Sequence, residues 1–216
     1  MARMTRMIFV RHGQSVGNLN GRFLGNYDGE LTGLGRRQAE RAAEYLKEEK
    51  IDIAYASDLV RAYETGAIIA APHGLVPIKD KKLREIFAGK WENEEFSKIE
   101  ELYPDDWKLW REDIFASRPT GGESVSELFH RITSEVWSIA SENDGKTVLV
   151  ATHATPIRAL MREWQELGSL SGGPKWVANA SITVADYDPT AHSVNVIKLS
   201  DSSFLDGMLT DFGDNV

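Results

Sequence analysis

The chain contains no cysteine, which excludes disulfides, thiolate nucleophiles and cysteine-ligated zinc or iron–sulfur centres. It also lacks any apolar run near the roughly 20 residues of a membrane-spanning helix. The apolar stretch Met7–Val10 ahead of Arg11 is too short for the apolar segment of a secretory signal, so a soluble, cytoplasmic protein with no membrane partner is expected. No block of lysine or arginine is present to follow a nucleic-acid backbone, and 33 acidic residues outnumber 25 basic ones, for a net charge of −8. Any anionic ligand must therefore be held by local groups. The HExxH spacing of many zinc hydrolases is missing as well, which argues against a histidine-ligated metal centre.

What is present reads as one domain over residues 1–216. Met7–Val10 and Thr147–Thr152 ("TVLVAT") are short β-branched runs of the kind buried on both faces of a parallel sheet, and Ile53–Ser57 is a third. Between them lie helical patterns. Ala39, Ala42, Ala43 and Leu46 share one face behind the capping residue Thr32, and a second helix is expected near Leu59. Ser124 with Glu127 three residues on predicts a capping box ahead of the stripe Val125, Leu128, Phe129, Ile132, Val136 and Ile139. Another stripe, Ile157, Leu160, Met161 and Trp164, follows "TVLVATHATP". Ser181–Asp188 and Ser193–Ser200 read as strands around a turn at Pro189–His192. The alternation predicts an α/β fold, a three-layer α/β/α sandwich with a mostly parallel central sheet. Residues 86–120, with tryptophans at 91, 107 and 110, break the pattern and are read as a small inserted cap. The acidic tail from Asp201 to Val216 is expected to be loosely ordered.

Three strand exits end in similar chemistry: Arg11-His12-Gly13, Ser57-Asp58 with Arg61 just beyond, and Thr152-His153-Ala154. In a parallel sheet these exits share one edge, where ligands bind. Two arginines, two histidines and two helix N-termini would then converge, a set suited to a phosphate. Taken singly, each residue has an ordinary structural reading; their joint placement is the signal.

Those residues lie in segments that resemble the histidine phosphatase superfamily, the phosphoglycerate mutase-like proteins, from Met7 to about Leu199. The likeness is carried by "FVRHGQSVGN", "FLGNYDGELTGLGRRQA", "SDLVRAYETG", "LREIFAGKWE", "GGES" and "ATHATPIRAL", in that order. The resemblance implies a phosphatase acting through a phosphohistidine on His12, with Arg11, Arg61 and His153 around the phosphoryl group. Asn18 and the Ala154 N–H would add phosphate contacts. Glu85 would give a proton to the leaving oxygen and later take one from water; its ordinary alternative is an ion pair with Arg84. His12 must attack through a neutral nitrogen, so its other nitrogen needs an acceptor, expected to be a backbone carbonyl. No metal is implied. Asn93 stands where the family often has glycine, and asparagine tolerates left-handed backbone.

The family includes hydrolases and mutases. The mutases carry a cap lysine and an arginine pair that hold a carboxylate. Here Phe96 stands near the expected lysine and Arg111 is followed by Glu112, with Lys98 and Arg118 as substitutes after a loop shift. These departures favour hydrolysis of a small phosphomonoester. Phosphoglycerate mutase activity, with 2,3-bisphosphoglycerate as its cofactor, is the alternative, and a non-enzymatic phospho-ligand binder is the third reading. Candidate substrate contacts are Phe23, Leu24, Gly25, Tyr27 and Trp91, with Phe87, Trp107 and Trp110 as further aromatic candidates. A homodimer is left open.

Overall fold

The computed structural model describes residues 4–171 and 176–210. Strand β1 (Thr5–Arg11) leads into the short helix α1 (Val16–Leu19), the two-residue strand β2 (Arg22–Phe23) and helix α2 (Gly33–Leu46). Strand β3 (Ile53–Ser57), helix α3 (Val60–Ala70) and strand β4 (Ile78–Asp80) follow. The chain then leaves the sheet through β5 (Glu94–Glu95), α4 (Phe96–Leu102) and α5 (Pro104–Glu112). It returns with α6 (Val125–Glu142), β6 (Thr147–Thr152), α7 (Ala154–Glu166), β7 (Ile182–Asp188) and β8 (Ser193–Asp201).

The main sheet has six strands in the order β4-β3-β6-β1-β7-β8. β4, β3, β6 and β1 run parallel, while β7 pairs antiparallel with both β1 and β8. Period-two alternation along the inner strands decides which layer each residue meets. Met7, Phe9, Val148 and Val150 pack with Leu128, Ile132 and Val136 of α6 and Leu160 and Trp164 of α7. Ile8, Val10 and Leu149 pack on the other face with Ala42 and Leu46 of α2 and Ile69 of α3. Both faces are thus covered, which is the expected three-layer sandwich. The helix starts also form as their sequences require: the Thr32 hydroxyl accepts from Gly35 N–H at 3.0 Å, and Ser124 and Glu127 cap α6 reciprocally.

The tail departs from expectation as far as it is described. Asp201 belongs to β8, and Phe204 and Leu205 are buried against the α2–α3 face. Gln38 donates to the Met208 carbonyl at 2.6 Å, and Arg41 to that of Phe204 at 3.2 Å. Two apolar residues next to the acidic ones anchor the segment through burial, which outweighs its charge. Residues 211–216 of that tail lie outside the described residues.

Candidate active site

Parallel pairing decides what meets at the carboxyl edge of the sheet. Arg11 of β1 is in register with Thr152 of β6, so the next residues after the two strands, His12 and His153, stand together. Their rings lie edge to face, with centroids 5.2 Å apart, and both side chains are buried. Gly13 is required by close approach: a Cβ there would lie 2.3 Å from the Gly35 carbonyl oxygen. Gly13 N–H donates to Thr65 Oγ1 at 3.0 Å, and that hydroxyl donates to the Arg61 carbonyl at 2.7 Å. The turn after β1 is thereby tied to the first turns of α3, which carry Arg61.

The acceptor expected for His12 is the Gly13 carbonyl, 2.7 Å from Nδ1. A carbonyl can only accept, so Nδ1 carries the proton and Nε2 keeps its lone pair. Burial pushes the His12 pKa well below its ordinary value, and the charges of Arg61 and Arg11 push the same way. His153 is lowered well below its ordinary value too, first by burial and then by Arg61, His12 and Arg11. Both rings are therefore neutral at neutral pH. His153 Nε2 is 2.9 Å from Ser57 Oγ at the end of β3, while its Nδ1 is buried with no hydrogen-bond partner among the described residues.

Arg61 reaches back across the site. Its Nη1 donates to the Tyr27 carbonyl at 2.9 Å and its Nη2 to that of Gly25 at 2.6 Å, whereas Nε is buried without a partner among the described residues. Arg11 donates through Nη1 to the Val177 carbonyl, and its guanidinium lies 4.7 Å from the Trp176 ring centroid. Burial lowers the pKa of each arginine to about 10, with Glu85 opposing the shift. Both remain cationic at neutral pH. Arg61 is 1% exposed and, among the described residues, its guanidinium bonds only to carbonyl oxygens, a buried positive charge suited to an anion.

Glu85 enters from the segment after β4. Its Oε1 accepts from Ile86 N–H at 2.9 Å and its Oε2 from Thr155 N–H at 3.3 Å, in the first turn of α7. Arg84 does not pair with it but makes a two-point ion pair with Asp58, at 2.6 and 2.7 Å. Arg131 of α6 donates to the carbonyls of Lys82, Arg84 and Glu85 while its guanidinium grips Glu123. The loop carrying Glu85 is thus fastened from two sides.

These groups open into a cavity of about 530 Å³. Arg11, His12, Asn18, Arg61, Glu85 and Ala154 line its inner end. Phe23, Leu24, Gly25, Phe96, Trp107, Trp110, Phe115 and Trp176 line the remainder, with Arg22, Arg111, Glu112, Asp113 and Arg158. His153 sits behind this surface, against His12. Three of the expected aromatic contacts lie outside the cavity lining. Trp91 is wholly buried with Ala88, Ile99 and Trp107 in the small core of the inserted segment, where its indole N–H donates to Thr120 Oγ1 at 3.2 Å. Tyr27 has a half-exposed ring and serves Arg61 through its carbonyl, outside the cavity lining. Phe87 is likewise exposed and outside the lining. Asn93 has the left-handed backbone expected of it, with φ of 57°.

Several contributors escaped the sequence reading. Ser57 was visible only as the end of a strand, Asn179 lies in a loop with no motif of its own, and Arg158 carries no spacing signal apart from standing one turn beyond Ala154. Among the described residues no group of three or more His, Cys, Asp or Glu could hold a metal ion, and no helix is long and apolar enough to cross a membrane.

Known proteins resemble this chain in sequence and fold. The profile described as histidine phosphatase superfamily (branch 1) matches residues 7–199. Phosphoserine phosphatase 1 of Hydrogenobacter thermophilus is 33% identical over 157 residues, covering 73% of this chain and 74% of its own. Phosphoglycerate mutase-like protein 4 of Arabidopsis thaliana is 38% identical over 159 residues, covering 71% and 68% respectively. The native structure of mycobacterial glucosyl-3-phosphoglycerate phosphatase superposes with a TM-score of 0.77 at 31% identity, covering 94% of this chain and 100% of that one.

Proposed function

The chain belongs to the histidine phosphatase superfamily, and from that premise we propose that it is a metal-independent phosphomonoester hydrolase working through a phosphohistidine on His12. The observation that carries this reading is the neutral His12, with Nδ1–H held on the Gly13 carbonyl, standing between two buried arginines. His12 Nε2 attacks phosphorus and the ester P–O bond breaks. Glu85 gives its proton to the departing alcohol oxygen. Water then attacks the phosphohistidine, Glu85 takes its proton, the P–N bond breaks, and inorganic phosphate leaves.

Phosphoryl transfer spreads negative charge over the equatorial oxygens, so fixed positive groups and donors do most of the work. Arg11, Arg61 and His153 supply them, with Asn18 and the Ala154 N–H. These charges occupy the place magnesium takes in other phosphoryl-transfer sites. Residues 1–216 act as one catalytic unit in which the segment near 86–120 closes the leaving-group side.

Hydrolysis is favoured over mutase chemistry because neither Lys98 nor Arg118 reaches the cavity. Lys98 is exposed, and Arg118 is bonded to the Gly122 carbonyl and Glu127. The leaving alcohol is taken to carry an acidic group. Arg158, half-buried on the cavity wall, has no hydrogen bond or ion pair among the described residues. Phosphoserine and glucosyl-3-phosphoglycerate, the compounds in two relatives' names, both carry a carboxylate near the phosphate ester.

A panel of phosphomonoesters assayed with a chelator present tests the proposal. It includes 3-phosphoglycerate with and without 2,3-bisphosphoglycerate. Release of inorganic phosphate unaffected by chelator is expected. Bisphosphoglycerate-stimulated isomerisation outpacing hydrolysis contradicts the hydrolase reading.

A further inference from the structure

The segment Val177–Ser181, just ahead of β7, wraps the exit of β1. The Val177 carbonyl accepts from the Arg11 guanidinium. Ala180 N–H lies 3.0 Å from the Arg11 carbonyl and 3.3 Å from that of His12, and Arg11 N–H donates to the Ser181 carbonyl at 3.3 Å. Ala180 adopts a left-handed φ of 56°, a conformation costly for a residue with a Cβ. The neighbouring Asn179 is 1% exposed. Its Nδ2 donates to the His12 carbonyl at 2.9 Å and to Asn18 Oδ1 at 3.2 Å.

The orientation of both amides follows from their partners. Ser15 N–H donates to Asn18 at 3.1 Å, and a backbone N–H can only donate, so the receiving atom is oxygen. The Asn179 atom that faces this oxygen and the His12 carbonyl must then be the NH2. Asn18 Oδ1 is thus held from its own helix start by Ser15 and from the opposite side by Asn179. The pole left for the cavity that Asn18 lines is its NH2, a donor suited to a phosphoryl oxygen.

We propose that Asn179 is a positioning residue: it locks the Asn18 amide with its donor end toward the phosphoryl group and ties that amide to the main chain of the nucleophile His12. This rests on the proposed phosphate site and deepens it. The Asn179 side chain does not touch the phosphate; it acts through Asn18.

A double-mutant cycle on inorganic phosphate affinity, measured by calorimetry on the full chain, tests the proposal. Asn18→Ala is expected to weaken phosphate about 10-fold and Asn179→Ala about 3- to 10-fold, the scale of one hydrogen bond to a charged group. The double variant should bind within about twofold of Asn18→Ala, because Asn179 has nothing left to orient. In steady-state hydrolysis the Asn179→Ala loss should fall mainly on KM, since the contact serves bound substrate and transition state alike. Losses that multiply in the double variant, or an unchanged phosphate affinity in Asn179→Ala, overturn the proposal.

Should Asn179→Ala unfold, Asn179→Asp keeps the volume and replaces the donor by an acceptor. It must lose more affinity with Asn18 present than in the Asn18→Ala background. A wild type that binds phosphate without hydrolysing esters refutes the hydrolase reading while leaving this cycle interpretable. An active wild type with an additive cycle refutes the positioning role alone.

Discussion

The imidazoles of His12 and His153 meet edge to face at 5.2 Å because β1 and β6 are parallel neighbours whose last residues, Arg11 and Thr152, are in register. Each ring is desolvated and lies within the field of Arg61 and Arg11, so both are neutral, with a single N–H each, at neutral pH. The site therefore offers a neutral imidazole with a free Nε2 lone pair beside fixed positive charge, as the proposed phosphohistidine route requires.

That arrangement makes the protein acid-sensitive. Both histidine pKa values are lowered on folding, so below about pH 6.5 the unfolded chain binds protons that the folded chain refuses. Their contribution is fully present above about pH 6.5 and is lost as pH falls toward the lowered folded values. The two together can impose a slope of up to about 2.7 kcal/mol per pH unit. Urea unfolding at several pH values between about 7.5 and 5 should show stability falling with acid, and His12→Asn should flatten the slope by about half. A slope unchanged in that variant contradicts the account.

In the proposed mechanism Glu85 acts on the leaving oxygen, so its removal should matter in proportion to that oxygen's need for a proton. Glu85→Gln is expected to lower kcat for alkyl phosphates by about 10²- to 10⁴-fold. With 4-nitrophenyl phosphate, whose leaving group departs as a stable anion, the loss should be far smaller. Equal losses on both substrates would remove Glu85 from this role.

Arg158 lines the same cavity as Glu85, and the proposed reading gives it the acidic group of the leaving alcohol. Arg158→Gln should raise KM for carboxylate-bearing phosphomonoesters about 10-fold or more, the scale of a charge-assisted hydrogen bond. For 4-nitrophenyl phosphate the change should stay within a few-fold. Comparing kcat/KM across the two substrate types reads this directly, and a uniform loss contradicts it.

The layers of this fold were legible because they rest on local signals. Alternation placed Ile8 and Val10 opposite Met7 and Phe9, and the Thr32 and Ser124 caps stand where the hydrophobic stripes begin. Part of the inner cavity was legible for the same reason: Arg11, His12 and His153 stand at the ends of strands that the pattern identifies, with Arg61 four residues beyond a third, whereas Asn18, Glu85 and Ala154 were legible only through the family resemblance. What escaped depends on long-range pairing. Trp91 and Trp110 look alike in sequence, yet the first fills a small core and the second faces the cavity. The partners of Ser57 and Asn179 lie 96 and 167 residues away, and no periodicity reports contacts at that separation. The tail misled because its aspartates outnumber Phe204 and Leu205, the residues that anchor it.

Rapid acid–base quenching of the enzyme with a ³²P-labelled phosphomonoester tests the central claim most directly. The account predicts a phosphoprotein that is acid-labile and base-stable, with the label on His12 and absent from His12→Ala. No trapped label under turnover, or label persisting in His12→Ala, would contradict it.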